Sequence, residues 1–461
     1  MKKILLIQPR HNYAPSFSEK KLGHVYLPTS LLAAAAILQH LDIDIDLVDE
    51  NISFADLNHN IVGVNLVGAP YIPIAIDIEN RLKKKFNDNF ILLIGGQVVS
   101  GLTEIDMKSL FSSQTLSGNL IKTISQIFNV TEEQIPRIEN LSLINAYKLI
   151  TDENLKLYLE KEFSFYLSQG CRFSCSFCAA KRTIPKRIRV FEEYRDINIA
   201  LEDFEYIISK AKSFKIEKLH IYLSNLDLFQ SPEKLLLFAE GICQLFKKYY
   251  PISIVLRGLS TSQSFLRVHK NYPHIIFKMK EAGLDRIGFG IDGATPRVYK
   301  ETRKPQSVQD CIDAVRICRE EYGITPETLM VFGHNNFEDE IALIAAVDFS
   351  KEMQSKYDTI PRPHVAKDIV PGNDGWIKPE NEKIRQEFYI HTSLFQNLDF
   401  TAIPSPITHP NREFRNLVTK YYRMVCDLPN SLTKYVLPEL PSMSIRELNK
   451  VRLHNREQYD I

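Results

Sequence analysis

Cys171-Arg172-Phe173-Ser174-Cys175-Ser176-Phe177-Cys178 places three thiols in a C-x-x-x-C-x-x-C spacing, with an aromatic residue directly before the third. Thiolates are the ligands that iron–sulfur clusters take, and a four-iron cluster is ordinarily held by four of them. A tight loop that supplies three leaves one iron open to bind a substrate directly. Zinc is the competing reading, but structural zinc wants four ligands, usually as two pairs. No His lies inside the loop, and the next cysteine, Cys243, stands alone in an apolar helical run. Buried free thiols are common singly, not as a trio in one loop. The ligand arithmetic favours a 4Fe-4S cluster on Cys171, Cys175 and Cys178.

This spacing, with Phe177 inside it, resembles the signature of radical S-adenosylmethionine (SAM) enzymes. In that family the open iron chelates the amino and carboxylate groups of SAM. The cluster's electron then splits the sulfonium to give a 5′-deoxyadenosyl radical. The resemblance implies a small-molecule or natural-product substrate and an external electron donor such as flavodoxin or ferredoxin.

Outward from the loop, Phe163–Ser168 reads as a strand that Gln169-Gly170 turns into the cysteines. Strand-like runs recur at Lys218–Leu223, Ile252–Leu256, Arg286–Ile291, Thr328–Phe332 and His364–Val370, with helical patterns between them. Six such strands suit the partial (β/α)6 barrel of the family, over residues 163–372. Barrels of this kind carry their ligand groups at the carboxyl ends of strands. That position singles out Ser224, Asn225, Arg257, Asp292 and Gly333. Gly283–Gly293 resembles the family's fourth barrel strand, where the Asp292 position faces SAM; a turn or capping role is the alternative. Thr295-Pro296 then opens a helix. Arg257, read as the end of the third strand, is expected to hold the SAM carboxylate through a forked hydrogen bond, against a plain ion pair. The second strand departs from the family. Leu223-Ser224-Asn225 replaces the Gly-Gly-Glu of many members, so Asn225 or Asp227 is expected to receive the SAM ammonium. Gly333-His334-Asn335-Asn336 stands where relatives carry Gly-x-Pro-Gly-Glu. The basic run Lys181, Arg182, Lys186, Arg187 and Arg189 reads as a solvated face, or else as a dock for an anionic substrate or reductant.

Before the barrel, strands at Lys3–Gln8, Asp44–Asp49, Ile61–Leu66 and Phe90–Ile94 alternate with helices. One helix runs to His40 from a cap at Thr29 or Ser30; another has Ile74, Ile78 and Leu82 as its buried stripe. This alternation predicts a doubly wound, Rossmann-like α/β sheet with ligands at the strands' carboxyl ends. With Gly95-Gly96 after the fourth strand, residues 1–130 resemble the cobalamin-binding domain of one branch of radical SAM enzymes. Two departures stand out: the Asp-x-His-x-x-Gly motif is missing, and Ser112–Gly118 is polar where a fifth strand is expected. His11 and His24 are read as solvated rather than as cobalt ligands. A domain that only packs against the barrel is the competing reading.

Residues 131–162 read as a linker and 373–461 as a helical C-terminal region, with helices near Glu380–Asn397 and Asn411–Cys426 and a charged tail. Pro371–Trp376 resembles the turn that ends the family's sixth strand. Tyr421, Tyr422 and Cys426 are read as core. The 461 residues carry a net charge of +1, which sets up no field toward nucleic acid or an anionic membrane. Pro9 interrupts the first apolar run too early for a signal peptide. Seven cysteines, three in one loop, describe no disulfide framework, and an exposed cluster demands a reducing compartment, so the cytoplasm is expected. The leading expectation is cobalamin-dependent methylation of an unactivated carbon. The alternatives are a cobalamin-free radical cyclisation or rearrangement, and, in another class, an iron–sulfur electron carrier or sensor.

Overall fold

The computed structural model describes residues 3–10, 26–118, 120–180, 192–334, 337–399 and 404–433. His11, His24, the basic run from Lys181 to Arg189, Asn335-Asn336 and the charged tail lie outside the described residues.

Strands β1 (Lys3–Gln8), β2 (Asp44–Asp49), β3 (Ile61–Asn65), β4 (Ile91–Gly95) and β5 (Thr115–Leu116) form one parallel sheet in the order β2-β1-β3-β4-β5. The polar stretch therefore does supply a short fifth strand. Its polarity is met by Glu79, which accepts from Ser112 N at 3.0 Å, Ser112 Oγ at 2.8 Å and the Thr115 hydroxyl. Alternation along β1 sends Ile4 and Leu6 to one face and Leu5 and Ile7 to the other. Ile4 and Leu6 share a core with Leu32 and Ala35 of the helix Thr29–His40, and that core runs on unbroken into the second sheet. Neither Thr29 nor Ser30 caps this helix. Pro28 precedes it, and the Ser30 hydroxyl instead donates to Asn65 Oδ1 at 3.0 Å. Leu5 and Ile7 pack with Ile72, Ala75 and Leu82 of the helix Ile72–Phe86 and with Trp376, Phe388 and Phe395 from the far end of the chain.

The stretch 131–162 is more than a linker. Leu143, Ala146, Tyr147, Tyr158 and Leu159 are buried in the shared core. Tyr158 donates its hydroxyl to Asp49 of β2, while Ser142 Oγ and Leu143 N donate to Asp203 of the helix Ile197–Ser213 at 2.6 and 2.9 Å. Both sheets are thereby fastened to one layer.

The second sheet is also parallel. It comprises β6 (Glu162–Phe165), β9 (Lys218–Leu223), β10 (Ser253–Ser260), β11 (Leu284–Gly290), β12 (Thr325–Phe332) and β13 (Ile360–Val365), in the order β13-β12-β11-β10-β9-β6. Sequential parallel strands with a helix between each pair give the open barrel. Ser168-Gln169 leaves β6 and pairs as β7 with β8 (Glu193–Tyr194), an antiparallel clip that closes both ends of the cysteine segment. Two strand ends differ from the sequence reading. β10 continues to Ser260, three residues past Arg257, and β13 begins at Ile360 and stops at Val365. In the C-terminal part, Glu382–Ile390 packs beside the first sheet and the helix Arg412–Cys426 lies against β13, with Tyr421, Tyr422 and Cys426 in the core. Among the described residues no helix is long and apolar enough to cross a membrane.

Candidate active site

The cysteine loop lies across the carboxyl ends of the barrel strands because three strand-end segments hold its backbone and a fourth meets its Phe177 side chain. Gly170 takes φ +93, a left-handed turn that favours glycine, and starts the loop. After β9, Gln230 Oε1 accepts Arg172 N at 2.7 Å and its amide donates to Gly170 O at 3.2 Å. After β11, Thr302 O accepts Ser176 N at 2.9 Å. After β13, Asp374 N donates to Ser176 O at 3.2 Å. After β12, the His334 ring lies 5.3 Å from the Phe177 ring.

All seven thiols are free of disulfides. Cys171 and Cys175 are near enough to Cys178 to feel its charge. Burial pushes the Cys171 thiol up to about 12 and raises that of Cys175, against the pull of the Lys304 ammonium. Among the described residues no three His, Cys, Asp or Glu side chains converge on a metal-sized point. The donor set still suits iron: three thiols on one loop, with a backbone held from three sides.

Asp292 sits just past β11, buried, with φ +58. Its carboxylate is ion-paired with the buried Lys304 ammonium, and its carbonyl faces His334 Nε2 at 3.3 Å. Burial works against the Lys304 charge, but Asp292 and Cys175 more than restore it, so its pKa is raised. His334 is fully buried, with Nδ1 3.6 Å from Asp368 Oδ1. Burial lowers its pKa, yet Asp368 and Glu338 outweigh that and lift it to about 9. Glu338 in turn accepts the Gly333 and His334 amides.

At the end of β9, Ser224 is half-exposed at the mouth, its amide bonded to Phe165 O at 2.8 Å. Asn225 is buried. Its amide donates to Ser168 Oγ at 2.6 Å, and its Oδ1 is a buried acceptor with no hydrogen-bond donor. Glu192, which the sequence reading missed, accepts from Ser168 Oγ and Ser231 Oγ at 2.6 Å each. Burial raises its pKa.

Two expected SAM contacts, Asp227 and Arg257, have their side chains engaged within the barrel. Asp227 is fully buried, and its two oxygens accept from the Ser260, Thr261 and Ser264 hydroxyls at 3.0, 3.1 and 2.6 Å, so it ties the end of β10 to the helix Ser262–Asn271. Arg257 is buried mid-strand and grips Glu327 with two bonds of 2.7 Å. Arg286 and Arg362 reach the same carboxylate at 3.4 and 3.3 Å, and Arg257 also reaches Glu162 at 3.3 Å. Glu162 opens β6, and Arg286, Glu327 and Arg362 are each third in their strands, so this cluster braces the amino-terminal half of the barrel, away from the cysteines.

In the first sheet the strand order reverses between β1 and β3, the switch point at which such sheets take ligands. There Asn65 Nδ2 donates to Gln8 Oε1 at 2.7 Å and Asn65 Oδ1 accepts from Ser30. Val67, just beyond β3, and Tyr26, just before the helix Thr29–His40, are exposed. Gly95 ends β4 in open space, where an added Cβ would meet nothing within 4 Å. An amide-bearing edge with apolar neighbours fits the amide side chains and apolar faces of a corrin. The loop after β4 then leads to the barrel: Gly101 abuts Gly372, and Gly372 abuts Ala179, the residue after Cys178.

Residues 165–346 match the Radical SAM superfamily. Those residues form a Radical SAM domain. An uncharacterized methyltransferase of Pyrococcus horikoshii is 24% identical over 399 residues, 77% of this chain and 79% of that one. The solved structure of the cobalamin-dependent SAM radical enzyme OxsB, with aqua-cobalamin and SAM bound, superposes with a TM-score of 0.56 at 13% identity over 99% of this chain. A second OxsB structure, with aqua-cobalamin bound, gives 0.53 at 14% over 76%. The chain spans 61% and 52% of those two solved chains. At that identity the likeness shows a shared fold: a Rossmann-like sheet followed by a radical SAM barrel. The match of residues 165–346 to that superfamily supports an enzyme over a plain electron carrier or sensor.

Proposed function

We propose that this chain is a cobalamin-dependent radical SAM methyltransferase acting on an unactivated carbon of a small molecule or natural-product precursor. The observation that carries the reading is the seam Gly101–Gly372–Ala179, which joins the crest of a sheet suited to a corrin directly to the cysteine loop. Residues 1–130 hold cobalamin on this reading, and residues 163–372 hold the cluster and SAM. Bound there, the cluster and SAM would supply a 5′-deoxyadenosyl radical, and cobalamin a methyl group for transfer to carbon.

The chain's own residues bind and orient. Cys171, Cys175 and Cys178 hold three irons. Ser224, the unfilled Asn225 acceptor and Asp292 flank the mouth where SAM is held, and Glu192 adds a carboxylate beside Asn225. Phe177 and the strand-end loops cover the cluster from water. An external one-electron donor and a reducing cytoplasm complete the proposal.

Anaerobic purification with cobalamin supplied tests it. Cobalamin retained through gel filtration, and retained in His11→Ala and His24→Ala, supports a first domain that would hold cobalamin without either histidine. Protein that takes up no cobalamin yet cleaves SAM when given substrate refutes the methyltransferase reading and leaves the cobalamin-free cyclisation or rearrangement.

A further inference from the structure

Asp292 joins two buried cations that flank the cysteine loop. Its carboxylate holds Lys304, and its backbone carbonyl faces His334. Lys304 is drawn inward because the helix Pro296–Thr302 ends at Arg303 in a left-handed turn, φ +56, which swings the next residue back over Gly290. A Cβ on Gly290 would stand 2.9 Å from Lys304 Nζ, so the glycine makes room for the ammonium.

His334 reaches the loop from the other side. Its two ring nitrogens both face oxygens, Asp368 Oδ1 at 3.6 Å and Asp292 O at 3.3 Å. The 3.6 Å contact is an ion pair and not a hydrogen bond, and Asp368 and Glu338 favour the charged ring. Its ring meets Phe177, the neighbour of Cys178, at 5.3 Å. The charges around it are Asp368, Glu338 and Asp292 on the acidic side, with Lys367 and His409 beyond.

We propose that Lys304 and His334 form a cationic bracket on the barrel side of the cysteine loop and raise the electron affinity of the cluster held there. The proposal rests on the cluster reading above. Cluster potentials are set by nearby charge, hydrogen bonding and burial, and a buried charge acts strongly because water screens it little. Reduction adds one electron, from an external one-electron donor, and so one negative charge beside two fixed cations. That charge is stabilised relative to the oxidised cluster. Lys304 and His334 act here as positioning charges and take no part in bond making.

The test is a redox titration of the reconstituted cluster without SAM, followed by electron paramagnetic resonance, with iron content measured in parallel. Lys304→Met and His334→Gln are each expected to show roughly a tenfold lower ratio of reduced to oxidised cluster at a fixed potential, a shift of about 59 mV downward for a one-electron couple. Lys304→Arg keeps the charge and should restore the wild-type ratio, which lost packing alone would not. If Lys304→Met does not fold because Asp292 is left unpaired, His334→Gln decides: a downward shift supports the bracket and an unchanged potential refutes it. Equal potentials in all variants with intact clusters overturn the proposal alone. A wild-type protein with no reducible cluster overturns it together with the cluster reading.

Discussion

Gly101 and Gly372 meet backbone to backbone across the seam between the two sheets. A Cβ on Gly101 would fall 2.2 Å from Gly372 N and 2.3 Å from its Cα. No flexible side chain is there to yield, so only glycine permits this approach. The contact is locked from beside it: Trp376, four residues on, donates its indole N–H to Asp106 at 3.1 Å, and Tyr389 donates to the same carboxylate. Asp106 belongs to the helix Glu104–Leu110 that follows Gly101.

Gly101→Ala is therefore expected to destabilise the protein by about 1–3 kcal/mol through overpacking, and to weaken cobalamin retention more than cluster content. Gly95→Ala, whose Cβ meets nothing within 4 Å, should stay within about 0.5 kcal/mol. Thermal unfolding of the two variants side by side checks this; equal losses would show that the seam is not tight.

Glu327→Gln should cost about 3–5 kcal/mol, because three guanidiniums would be left around a neutral amide. Burial pushes the Glu327 carboxyl up, but the Arg257 bonds and the Arg257, Arg362 and Arg286 charges prevail, so its pKa is lowered on folding. A depressed folded pKa means that this stabilisation is present above the ordinary carboxylate range, about pH 4.3, and is lost as pH falls through the lower folded value. Melting curves between pH 7 and pH 3 should show a smaller acid loss in Glu327→Gln than in wild type.

Asp292→Ala is expected to weaken SAM binding ten- to hundred-fold, about 1.5–3 kcal/mol for a charge-assisted hydrogen bond. Asp292→Gly suits the left-handed backbone yet lacks the carboxylate, so it should bind as weakly while melting higher than the alanine variant. Arg257→Ala and Asp227→Asn, both engaged within the barrel, should leave SAM affinity unchanged in folded protein with full cluster content. Loss of affinity in either would restore it to the SAM site.

Burial makes Asp227 harder to ionise, the reverse of Glu327. Its folded pKa is raised, so its contribution is present below the ordinary carboxylate range and fades as pH rises through the folded value. Asp227→Asn should therefore flatten the pH dependence of stability above about pH 4, measured by denaturant unfolding; an unaltered slope would contradict a buried, strained carboxylate.

The alternation of strands and helices was legible because apolar runs such as Lys3–Gln8 and Lys218–Leu223 have one period and sharp ends. The thiol spacing was legible for the same reason: it is local. Arg257 was misplaced because a Gly-Leu-Ser continuation, Gly258–Ser260, carries little strand signal, although pairing with β11 extends the strand through it. Asp227 read as a SAM contact because the hydroxyls that bind it lie more than thirty residues on. Lys304 and His334 carry no local signature. One is turned inward by the left-handed Arg303, and the other is defined by Asp368 and Phe177, which only the fold brings near.

The central claim is that Cys171, Cys175 and Cys178 hold a 4Fe-4S cluster with one iron open to SAM. Electron paramagnetic resonance of the reduced, anaerobically prepared protein, with and without SAM and with metal content determined, tests it most directly. The account predicts a reduced-cluster signal that changes on adding SAM, is absent in Cys171→Ala, Cys175→Ala and Cys178→Ala, and survives in Cys243→Ala, Cys311→Ala and Cys318→Ala. Zinc in place of iron, or a signal that SAM does not alter, would contradict it.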